Sequence, residues 1–117
     1  MATSGIQGQI LGSDGEPLDA PFSVRSVTPG QSFSIASDER GSFVVAWEES
    51  GQIKASVYNS AGDPLFQNQD IAGSSGQNRE VTVSANGSGR VAIAWRRFST
   101  TGGAHNDLIA RNYQIAY

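Results

Sequence analysis

The residues in this chain that could do chemistry are few, and they gather around two tryptophans. Trp47 and Trp95 could serve as aromatic platforms for a sugar ring. The competing reading places both rings in the core, because large aromatics dominate protein interiors; Tyr58 and Tyr113 invite the same two readings. Glu48-Glu49 follows the first tryptophan and Arg96-Arg97 the second, so equivalent positions carry opposite charge. The reversal reads as a site, as a complementary pair between neighbouring copies, or as two solvated turns in which surface pairs contribute about 0–1 kcal/mol. His105, the one histidine, stands beside Asn106 and Asp107 in a Gly-rich stretch. His and Asp this close could hold a metal or a ligand hydroxyl, although a zinc site needs about three or four ligands. The candidate ligand-binding residues are therefore Trp47, Glu49, Trp95, Arg97, His105 and Asp107, with no cofactor and no metal expected.

No constellation reads as catalytic. Asp14, Asp38 and Asp63 lie in turns and form neither a Ca²⁺ loop nor a carboxylate pair for glycoside hydrolysis. There is no nucleophile elbow and no phosphate loop, and a Ser–His–Asp triad would have to come from a single loop. Asn86-Gly-Ser88 matches a glycosylation acceptor, but the preference of Asn-Gly for hairpin turns explains it equally well. The expectation is a protein that is not an enzyme.

The elements that must position these residues come from an internal repeat. Gly41-Ser-Phe-Val-Val-Ala-Trp47 returns as Gly89-Arg-Val-Ala-Ile-Ala-Trp95, with the tryptophans 48 residues apart. Gly15-x-Pro17-Leu18 returns as Gly62-x-Pro64-Leu65, Ile6-x-Gly8-x-Ile10 as Ile53-x-Ala55-x-Val57, and Phe22-x-Val24 as Gln69-x-Ile71. Leu108 to Tyr113 is a third, degraded copy of Ile53 to Tyr58, with Asn112 where Val57 stands. A period of about 20–50 residues marks a repeat array.

One full unit predicts four strands, at 32–37, 41–48, 52–58 and 66–72. Phe43 to Trp47 is apolar without alternation and too short for a helix, so it reads as a strand buried on both faces. Thr28-Pro-Gly30 punctuates the chain before this unit, and Arg96 to Asp107 reads as a longer loop in which binding function tends to reside. Charged residues are 16 % of the chain and Gly supplies 14 of 117, a composition suited to turn-rich β structure. A net charge of −3 argues against a nucleic-acid partner, which needs a basic face. No apolar run approaches the roughly 20 residues of a membrane helix, so no membrane insertion is expected. Cys is absent, which removes disulfides and thiolate metal sites. The N-terminus lacks the basic and apolar regions of a signal peptide, which leaves a cytosolic chain, a trimmed leader or a piece of a longer secreted protein.

Four-stranded antiparallel units repeated radially are the blades of a β-propeller. The run Gly41 to Trp47, then Ile53-x-Ala55-x-x-Tyr58, then Ser60-Ala-Gly-Asp-Pro-Leu65 resembles propeller-type repeats of bacterial and cyanobacterial surface or secreted proteins. The resemblance implies an all-β fold and an extracellular binding or structural role, and it carries no catalytic residue. The expected organisation is a tail at 1–5 and tandem blade repeats over 6–117: a partial blade 6–31, a full blade 32–72 and a partial blade 79–117. About two blades cannot close a ring, since propellers use about 4–8. The expectation is a homo-oligomer, a trimer ahead of a dimer, with a glycan as the leading ligand class and one strand surplus to two blades. The alternative is a monomeric β-sandwich.

Overall fold

In a computed structural model the chain is all-β, with nine strands and no helix among the described residues, which are 6–18, 20–25, 32–49, 51–72, 78–99 and 102–115. The expected tail at 1–5 and the punctuation at Thr28-Pro-Gly30 lie outside them. The strands are β1 (Ile6–Gly8), β2 (Phe22–Arg25), β3 (Phe33–Ser37), β4 (Phe43–Glu49), β5 (Gln52–Tyr58), β6 (Pro64–Ala72), β7 (Asn78–Ala85), β8 (Arg90–Ser99) and β9 (His105–Gln114). All pairing is antiparallel, in three sheets ordered β1-β2, β3-β4-β5-β6 and β7-β8-β9.

The middle sheet is covered on both sides, and its sequence shows why. Opposed residues in an antiparallel pair share a face, and successive residues alternate. Val44 and Ala46 of β4, with Ala55 and Val57 opposite them on β5, therefore pack toward the third sheet, against Val81, Val83, Val91, Ile93 and Trp95. Val45 and Trp47 point the other way, toward Val24 of β2, and Tyr58 joins them. Phe43 and Phe22 close this second core around Tyr58, with ring centroids 5.1 Å and 5.3 Å from it. A strand apolar on both faces is thus buried on both faces.

Sheets two and three repeat each other in register. Phe43 faces Tyr58 as Val91 faces Tyr113, and Ala46 faces Ala55 as Ala94 faces Ala110. Each tryptophan points toward the preceding sheet: Trp47 toward the first, Trp95 toward the second. The stack therefore has a direction.

Four turns of one design lie at the same end of the strands. Gly15, Gly41, Gly62 and Gly89 all have positive φ, and each donates its N–H to the carbonyl three residues before it. This is the three-residue hairpin loop whose last position is left-handed, a conformation that glycine adopts without steric cost. Asp38, Asn59 and Asn86 open three of these turns, and each Oδ1 accepts two backbone N–H groups, at 2.9–3.1 Å.

The stretch expected as a long loop is largely a hairpin. β8 and β9 continue pairing beyond the core, with Arg97 opposite Asp107, Phe98 opposite Asn106 and Ser99 opposite His105. The polar residues of this extension carry no burial signal, which is why they read as a loop.

Candidate functional site

Both tryptophans are core residues. Trp47 is 0 % and Trp95 2 % exposed, so neither offers a ring face to a sugar. This corrects the aromatic-platform reading, and the cause is the stack itself: each indole is covered by the sheet it points toward. What differs between the two is the indole N–H. Trp47 Nε1 donates to Glu49 Oε1 at 3.0 Å, whereas Trp95 Nε1 is buried with no partner among the described residues. Arg97 occupies the position equivalent to Glu49, and a guanidinium cannot accept.

Arg97 turns instead to the neighbouring strand. Its Nη2 lies 3.5 Å from Asp107 Oδ2, the residue opposite it on β9, and both side chains are about two-fifths exposed. The structure thus brings together two candidates ten residues apart in sequence. Arg96 points to the other face of the same sheet, where it meets Glu80 Oε1 at 3.0 Å and Asn106 Oδ1 at 3.4 Å. Glu80 sits at a β-bulge with φ 56°, and the bulge lets β7 present its carboxylate to Arg96. The charge reversal between Glu48-Glu49 and Arg96-Arg97 is therefore absorbed largely within the chain. His105 begins β9, and its side chain lies outside the described residues.

Glu80 and Asn106 are the members of this cluster that sequence reasoning missed. Asn106 follows from the hairpin register once β9 is known to begin at His105; Glu80 depends on the bulge and had no signal. Together, Glu80, Arg96, Arg97, Asn106 and Asp107 supply donors and acceptors with little net charge at the rim opposite the four glycine turns. A shallow depression of about 300 Å³ lies on the Arg96 side of this rim, lined by Glu80, Arg96, Asn106 and Asp107 with Thr82, Ala94 and Leu108, and not by Arg97. Among the described residues no group of His, Cys, Asp or Glu could hold a metal ion.

A second concavity is apolar. About 290 Å³ opens between the second and third sheets, lined by Val57, Phe66, Ile71, Ile93, Tyr113 and Ile115. It lies where the three-stranded sheet has no strand opposite β6. Comparison with protein-family models, with curated proteins and with solved structures found no match.

Proposed function

We propose that this chain is a non-enzymatic binding module of propeller-type blades that reaches its working form by self-association. The observation that carries the reading is the directional stack: two sheets share one register, each tryptophan faces the preceding sheet, and among the described residues the first and third sheets have fewer than four strands. A four-stranded unit flanked by incomplete ones leaves open edges, and identical chains satisfy such edges by closing head to tail. With two blades per chain, a trimer gives a six-bladed ring and a dimer a four-bladed one.

The ligand surface in this reading is the rim around Arg97 and Asp107, where exposed donors and acceptors suit the hydroxyls of a glycan or another surface molecule. Burial of both tryptophans favours a second reading, a structural repeat with no ligand of its own. Light scattering on a sizing column across a dilution series tests the assembly. A discrete trimer or dimer is expected, whereas a persistent monomer refutes it and returns the β-sandwich. A glycan array separates ligand binding from the structural reading, since binding to no sugar at high protein concentration leaves only the latter.

A further inference from the structure

The geometry points to the surface by which a second copy docks: the outward face of β7-β8-β9 of one chain covers Phe33 and Ile35 of the next. This inference rests on the self-association reading and specifies its interface. Phe33 and Ile35 are 58 % and 59 % exposed, although their repeat equivalents Val81 and Val83 are buried. The difference has one cause. Val81 and Val83 lie against the middle sheet, which has all four strands, whereas among the described residues the first sheet has β1 and β2 alone, and in the repeat these correspond to β5 and β6. The missing pair over Phe33 and Ile35 corresponds to β3-β4, and the outward-facing sheet carries strands of that kind, β7 and β8.

The contact already made within the chain is the template. There, small residues of the middle sheet (Ser34, Ala36, Ala46) receive large ones of the third (Val81, Val83, Trp95). The outward face of the third sheet again presents small residues at the equivalent positions, Thr82, Ser84 and Ala94. The face they would receive presents Phe33 and Ile35. A hydrogen bond supports the same match: Val83 N–H donates to Ser34 Oγ at 3.1 Å across the internal contact. Thr82 stands at the Ser34 position and keeps the hydroxyl. Ile35 stands at the Val83 position, and its identical register to the partner strand turns its N–H to the open edge.

Docking also explains the surplus strand. β9 of one copy would take the position that β1 holds in the next. β1 pairs over three residues with a break in register, whereas β9 pairs over ten without one. β1 therefore yields, and β2 of the second copy pairs with the free edge of β9, opposite β6, where it closes the apolar cleft. Each composite sheet then has four strands.

The test uses two exposed-face variants. Ile35→Glu and Ala94→Glu each block one side of the contact, so each alone is expected to be monomeric with unchanged strand circular dichroism. Their equimolar mixture keeps one intact contact and is expected to give a 1:1 dimer and nothing larger. Thr82→Val keeps the shape but cannot accept the Ile35 N–H, and is expected to raise the dissociation midpoint about 10-fold. A wild-type oligomer with folded variants that keep its mass, a mixture that stays monomeric, or an unshifted Thr82→Val overturns this interface and leaves self-association standing. A monomeric wild type overturns both readings.

Discussion

The bond between Trp47 and Glu49 offers a sharp energetic test, because the repeat contains its own control. Trp47 is fully buried and its N–H donates to a carboxylate at 3.0 Å. Hydrogen bonds to charged groups contribute about 1.5–3 kcal/mol, and a buried donor stripped of its acceptor costs about 1–3 kcal/mol. Glu49 is half-buried, so water competes for the carboxylate and the lower part of that range applies, about 1.5–2 kcal/mol. Glu49→Leu should therefore lower the midpoint of thermal unfolding by about 6–8 °C, taking the usual unfolding entropy per residue over 117 residues. Glu49→Gln keeps an acceptor oxygen and should lose less than half as much. Arg97→Leu, at the equivalent position, removes only a partly exposed ion pair and should cost less than about 1 kcal/mol. Circular dichroism during heating and urea titration supplies the numbers. A cycle with Trp47→Phe isolates the pair, since the coupling energy excludes Glu49's other interactions and the smaller ring. A coupling energy below about 0.3 kcal/mol would refute the assignment of this bond as a stabilising one.

Two further substitutions follow from the same accounting. The Tyr58 hydroxyl is buried without a partner among the described residues, so Tyr58→Phe should be neutral or stabilise by up to about 1 kcal/mol in urea unfolding, and a loss of stability above about 1 kcal/mol would reveal a partner. Gly15 and Gly41 share a left-handed backbone, but a methyl group at Gly15 meets nothing, whereas at Gly41 it lies 2.9 Å from Ser60 Cβ. Gly15→Ala should cost about 1 kcal/mol and Gly41→Ala measurably more, and equal losses would show that Ser60 gives way.

The strands were legible because burial on two faces leaves a plain mark. Phe43 to Trp47 had to be covered on both sides, and it is. The turns were legible as turns but not in type: Asn86-Gly87 reads as an Asn-Gly hairpin turn, whereas the left-handed position of the three-residue loop falls at Gly89. The charged rim was not legible. Arg97 and Asp107 meet because β8 and β9 pair past the edge of the core, where alternation carries no burial signal. Glu80 reaches Arg96 through a bulge that no residue type announces. The tryptophans were half legible: their equivalence was plain from spacing, but covering by a preceding sheet is a property of the stack, so residue type alone left sugar platform and core residue open.

The two rims of the stack have different freedom to change. At one rim, four turns of the same length obey one stereochemical rule, and three rely on an Asp or Asn to gather backbone N–H groups. Insertions there would disturb a turn and the strand register it sets. At the other rim the β4–β5 and β8–β9 connections differ in length, and a methyl group added at Gly102 would meet nothing. A change of length there leaves the core register untouched. The glycine rim is the hem of the fabric, and the rim beyond Arg97 and Asp107 is where a foreign peptide could be grafted and displayed without unpicking it.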